Sequence, residues 1–203
     1  GAGRKAIGIE FVATNRKAVG IQLSATSIRG VVTDLYAAPL RHFEAPLPDA
    51  SPESAADAIA ACVEEVVGGE GADGFIGIGV GIPAVLDAER ATVIGTGHLG
   101  WLGVPFKRML QHRLPGLIEL DNHVKLASLG ERWHGQGAGA NHFIYCSFGI
   151  GVGCSLIIGG EIVRGEYGAA GELGHIVVQP DGPLCSCGNR GCLEAGVGWP
   201  AVR

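Results

Sequence analysis

Residues 165–194 read GEYGAAGELGHIVVQPDGPLCSCGNRGCLE. This stretch holds one imidazole, His175, and three thiols, Cys185, Cys187 and Cys192, within a short span. Three thiolates and an imidazole make a closed tetrahedral ligand set, which is the donor set of a structural zinc ion. Cys185 and Cys187 are separated by a single residue, and Gly188 and Gly191 give the loop the freedom to wrap an ion. Polar, glycine-rich sequence cannot pack a core, so bound metal would supply the folding energy there instead. The competing reading is a reduced, solvent-exposed cysteine loop. The spacing is not that of a disulfide framework and suits a metal better.

Around this loop the chain is ordinary globular sequence. It has 203 residues, 47% of them hydrophobic, so a core can form and disorder is not expected. The 35 glycines do not recur at every third position, which excludes collagen. Formal net charge is −5 and no Lys/Arg block occurs, so nucleic-acid contact through this chain is not expected. No apolar run approaches the ~20 residues of a membrane helix. The first residues carry no signal-peptide pattern, and a cytoplasmic location is expected. Cys62, Cys146 and Cys154 stand in apolar segments and read as small core residues.

Hydrophobic periodicity predicts strands at 18–23, 28–35 and 40–45, then a helix from Pro52 to Val67 with Ser51 as its N-cap and Ile59, Val63 and Val66 on its apolar face. A glycine-alternating strand follows at 75–82. Further elements are predicted as a helix at 106–114, a strand at 117–120, a helix at 122–133, strands at 142–148, 154–158 and 162–163, and a last strand at 176–179. Gly159-Gly160 reads as a hairpin turn. The order argues for α/β layering of a strand–helix module begun twice. The expected division is a lead-in over 1–17, a first domain over 18–115 and a second, incomplete domain over 116–203.

The run Gly165 to His175, followed by Cys185 to Glu194, closely resembles the signature of the ROK family of bacterial sugar kinases and sugar-responsive transcriptional repressors. Shorter similarities lie at Gly79 to Pro83, Leu99-Gly100-Trp101, Asp121-Asn122 and Gly149 to Gly153. The resemblance covers residues 18–203 and implies an actin-like, ribonuclease-H-like fold with sugar in the cleft between two domains. Typical members continue past this length. It implies that Asn122, Glu172, His175 and Glu194 hydrogen-bond sugar hydroxyls, with zinc holding the His175 ring through one nitrogen. It also implies a homodimer or homotetramer.

Several positions depart from the family's kinases. Those enzymes carry an Asp as catalytic base in an Asn-Asp pair; here the pair is Asn122-His123, so His123 occupies the base position. The first phosphate turn begins with an Asp followed by Gly-Gly-Thr; here it is Gln22 to Thr26, in which Gln22 brings no charge for Mg²⁺ and Ser24 and Ala25 replace glycines. Phe148, before Gly149 and Gly151, stands where the second turn has a small hydroxyl residue. On the sugar side, Gly97-His98 replaces a Pro-Asn pair, and Ala84 stands where a glycine is common. By this resemblance the chain is expected to be the sugar-sensing domain of a transcriptional regulator whose phosphate chemistry is lost. Its DNA-binding winged helix would precede Gly1, and Gly1 to Lys5 resembles the basic linker that follows such a domain. The alternative is a Mg-ATP-dependent hexose or amino-sugar kinase with His123 as the base.

Overall fold

The computed structural model describes residues 10–67, 74–87 and 92–202. Of the lead-in, residues 1–9 lie outside the described residues. The remainder packs back on the body: Ala13 accepts a hydrogen bond from the Leu35 amide at 3.1 Å, and the Phe11 ring meets Tyr36 edge-on at 5.4 Å.

Three strands, β1 (Lys17–Leu23), β2 (Ser27–Thr33) and β3 (Pro39–Pro46), form an antiparallel meander. Helix α1 (Pro52–Val67) then crosses to β4 (Phe75–Ile82), which lies parallel to β1. The α1 boundaries are those read from the sequence. Ser51 Oγ accepts from the Ser54 amide at 3.2 Å, and Pro52 costs nothing at the first helical position, where the amide has no intrahelical partner. The face at Ala55, Ala56, Ile59, Cys62 and Val63 is buried. It closes a core with Val19, Ile21 and Leu23 of β1 and Val80 and Ile82 of β4.

Between Ile82 and the next helix runs a small antiparallel sheet, β5 (Val85–Asp87), β6 (Thr92–Gly95) and β7 (Leu102–Val104). Its strands are too short to show periodicity, and the sequence reading has nothing there. Helix α2 (Phe106–Gln111) buries Phe106 and Leu110 and ends earlier than expected, in a turn through Leu114. Strand β8 (Ile118–Asn122) pairs parallel to β4, giving the order β3-β2-β1-β4-β8. The expected division at 115/116 therefore cuts through a sheet, because β8 completes the first one.

Helix α3 (His123–His134) leaves the end of β8 and packs its other side on a second sheet of β9 (Phe143–Phe148), β10 (Val152–Ile158) and β11 (Glu161–Ile162). Ser128 Oγ donates to the Lys125 carbonyl at 2.7 Å, so the proton shared with Ser155 Oγ, 2.8 Å away, comes from Ser155. This buried pair ties helix to sheet. The expected strand at 176–179 is not one. Ile176, Val177 and Val178 are exposed, and Val177 makes only an isolated bridge to Cys192. Two short helices, α4 (Leu193–Val197) and α5 (Trp199–Val202), follow. Among the described residues no helix is long and apolar enough to cross a membrane.

Candidate functional site

The three parallel strands end together. Gln22 is the register partner of Gly81, and Gly81 that of Asp121, so β1, β4 and β8 present their carboxyl ends at one edge of the sheet. Ligands of open α/β sheets bind outside such an edge. Gln22, Ser24, Asn122 and His123, which sequence reading placed in two functional groups, stand along it.

At the β8–α3 junction Asn122 is the N-cap. Its Oδ1 accepts from the Val124 and Lys125 amides at 2.8 and 3.3 Å, and its Nδ2 donates to the Ala84 carbonyl at 2.9 Å. The side-chain oxygen is thus spent inside the protein, and one amide hydrogen remains for a ligand. Ala84 is buried and enters the site as a backbone carbonyl. His123 opens the helix, and its Nδ1 is buried without a hydrogen-bond partner. Burial lowers its pKa below the usual histidine value against a hydrogen bond with the Ile82 backbone, and His98 lowers it further. At neutral pH it is a neutral imidazole.

His175, Cys185, Cys187 and Cys192 come together with all four ligand atoms within 4.8 Å of one another. Around a tetrahedral ion with Zn–S of about 2.3 Å and Zn–N of about 2.0 Å, sulfur–sulfur edges are about 3.8 Å and sulfur–nitrogen edges about 3.5 Å. Cys187 and Cys192 sulfurs lie 3.7 Å apart, and Cys185 Sγ lies 3.5 Å from His175 Nδ1. These two edges match such an ion, and the other ligand atoms lie within 4.8 Å of one another. Burial, with Cys187 and Cys185 beside it, pushes the Cys192 thiol up to about 12, so a cation is needed to hold it as thiolate. The loop closes through the Cys185 amide to Asn189 O and the Gly188 amide to Cys185 O. Gly191 has φ +70°, and a Cβ there would lie 1.5 Å from the Gln179 carbonyl oxygen, so no other residue fits.

The cysteine loop meets β10 and His98 at Glu194, which is buried in α4. Its Oε2 accepts from the Val152 amide at 2.9 Å, and its Oε1 accepts from Ser186 Oγ at 2.8 Å and faces His98 Nε2 at 3.8 Å. Ser186 lies between two of the cysteines, so the loop itself orients this carboxylate. Leu99 and Trp101 are buried, with Trp101 Nε1 donating to Ala50 O at 2.6 Å, and they anchor the segment that presents His98. On the far side of the metal set His175 Nε2 faces Glu172 Oε2 at 3.8 Å. With Nδ1 turned to the thiols, Nε2 is the nitrogen left for a ligand. Gly151 passes against this cluster: a Cβ there would lie 3.0 Å from Glu194 Oε2 and 3.1 Å from His98 Nε2. Gly149 and Gly151, grouped from sequence with the nucleotide positions, thus lie with Gly151 against Glu194 and His98, and the neighbouring Phe148 is exposed.

The β1–β2 turn is closed on itself. The Ser24 amide donates to Ser27 O at 2.9 Å, and Ser24 Oγ receives the Ser27 amide at 2.9 Å and the Thr26 amide at 3.4 Å. Gln22 is exposed beside its cross-strand partner Arg29, which is paired with Glu44 at 3.0 Å.

Sequence reading gave no role to three groups here. Asp121 takes a bidentate ion pair from Arg164, at 2.9 and 2.6 Å, joining β8 to the segment after β11. Lys125 is buried and donates to the Gly168 carbonyl. Ser186 is the third. Each is a partner across long sequence separation or a filler between motif residues, so no local signal marks it.

The ROK family model matches residues 18–202. A putative xylose repressor of Caldicellulosiruptor sp. (strain Rt8B.4) is 41% identical over 121 residues, which is 60% of this chain and 30% of that protein. A glucokinase of Thermotoga maritima is 37% identical over 127 residues, 62% of this chain and 40% of that one. The chain thus spans well under half the length of these curated relatives. Among solved structures, a ROK family glucokinase from Streptomyces griseus in complex with glucose and AMPPNP superposes with a TM-score of 0.84 at 32% identity, over 92% of this chain and 58% of that one. With the actin-like fold, the glycine–cysteine signature and a family match over nearly its whole length, this chain belongs to the ROK family.

Proposed function

We propose that this chain is the sugar-sensing body of a ROK-type transcriptional regulator in which phosphate chemistry has been lost. Sugar hydroxyls would be held by His98, Glu172, His175 and Glu194, above a floor made by Asn122, His123 and Ala84. Zinc on His175, Cys185, Cys187 and Cys192 would fix the ring of His175 and, through Ser186, the carboxylate of Glu194. Occupancy would be passed to DNA through a winged-helix domain outside this chain, in a homodimer or homotetramer, by shifting the balance between cleft states.

The observation that carries this reading is the β1–β2 turn. A phosphate cradle presents free backbone N–H groups. Here the Ser24, Thr26 and Ser27 amides are consumed within the turn, largely by the Ser24 hydroxyl. The uncharged Gln22, where magnesium would need an anionic oxygen, supports the same reading. A second reading is favoured by one observation. His123 is held neutral by burial, and a neutral imidazole can take the proton of a sugar hydroxyl. That makes a kinase with an unusual base the alternative.

The test is ADP release from Mg-ATP across glucose, xylose and N-acetylated hexoses in the complete gene product, with sugar binding followed by calorimetry. Sugar binding without turnover is the expected result. Turnover that disappears in His123→Ala would establish the kinase instead.

A further inference from the structure

Two cysteines outside the metal set are direct partners in the β9–β10 ladder: Cys146 opposite Cys154. The backbone of Cys154 is turned away from β9, since its amide donates to the Gly171 carbonyl at 3.1 Å. Two residues on, the Leu156 carbonyl accepts from Val163 at 2.9 Å on the same outer side. Ladder bonds alternate sides along a strand, so Cys146 and Cys154 form a non-hydrogen-bonded pair, the kind with Cα atoms about 4.5 Å apart and side chains closest together. That spacing is at the short end of the roughly 4.4–6.8 Å that a disulfide bridges. Their accessibility differs: Cys146 is exposed and Cys154 buried.

We propose that Cys146 and Cys154 form a reversible disulfide, a redox-responsive site separate from the four-residue metal set. The oxidant is a low-molecular-weight disulfide. The Cys146 thiolate attacks one of its sulfurs, a mixed disulfide forms, and the first small thiolate leaves and takes up the Cys146 proton. Cys154 then loses its proton and attacks the Cys146 sulfur. The mixed disulfide breaks, the second small thiol leaves with that proton, and the Cys146–Cys154 bond forms. Two protein thiols are oxidised and one small disulfide is reduced to two thiols. Burial and the neighbouring sulfur push the Cys154 thiol up, which suits the resolving role rather than the attacking one. Cys146 is exposed, and an exposed disulfide is among the more readily reduced ones. Because the Cys154 amide holds Gly171, the site sits directly beneath the segment that carries Glu172 and His175.

The test uses the reduced complete gene product, incubated with oxidised glutathione, denatured, alkylated and cut with trypsin. Cleavage after Arg132 and Arg164 puts both cysteines in peptide 133–164 and leaves Cys185 and Cys187 in peptide 165–190. The expected product is peptide 133–164 without alkyl groups and lighter than its reduced form by two hydrogens. It should return to the doubly alkylated form after treatment with dithiothreitol. Cys154→Ser should instead accumulate a stable glutathione adduct on Cys146. A wild-type peptide that stays fully alkylatable, or that keeps glutathione on Cys146 without closing, overturns the proposal. A disulfide-linked dimer through Cys146 overturns it as well.

Discussion

Asn122 shows how a side chain named for a ligand serves the fold first. It caps α3 and ties that helix to Ala84, and both jobs fall on one amide. Asn122→Ala should lower stability by about 1–2 kcal/mol, the usual cost of losing a cap, read as a shift in urea midpoint. The adjacent His123 adds a pH dependence with a definite sign. Its folded pKa lies below the unfolded value of about 6.5, so the unfolded chain binds the extra proton. Its contribution is complete above that value and is lost as pH falls through the depressed folded pKa. The urea midpoint should therefore drop between about pH 7 and pH 5, and the drop should shrink in His123→Asn.

At the scale of elements, the cysteine loop is organised by donors rather than by packing. Ile176, Val177 and Val178 read as a strand because three β-branched residues in a row have that propensity. They stay exposed because the neighbouring chain is the cysteine loop, which offers Val177 one isolated bridge rather than a ladder. The convergence of His175 and the three cysteines was legible because they lie close in sequence and their chemistry is restrictive. Cys192→Ser should reduce bound zinc from about one per chain to well below that and open residues 176–192 to protease, as metal analysis and limited proteolysis would record. Helix α1 was legible, since Ser51, Pro52 and the apolar face all agree. The β5–β7 sheet was not, because strands of three and four residues carry no period. Cys146 was misread as core: it lies in an apolar run, yet its side of β9, with Ile144 and Phe148, faces outward.

At the scale of the molecule, the first sheet and the signature segment are joined by few polar contacts. The Asp121–Arg164 pair is the clearest of them, and it spans residues that no periodicity connects. Asp121→Asn with Arg164→Ala in a double-mutant cycle should give a coupling of about 1–2 kcal/mol, held down because Arg164 is 41% exposed. Sugar affinity should weaken in both single variants, since the tie between β8 and the chain leading into Gly168 to His175 would be loosened.

The proposed function requires that the site keep sugar recognition and have lost nucleotide handling. The most direct measurement is paired calorimetry on the complete gene product, titrating glucose and xylose in one series and Mg-AMPPNP in the other. Heat of binding for a sugar, with none for the nucleotide in the presence or absence of that sugar, is the predicted result. Saturable nucleotide binding that strengthens when sugar is bound would contradict it, and the closed turn at Ser24 would then have to open on the ligand.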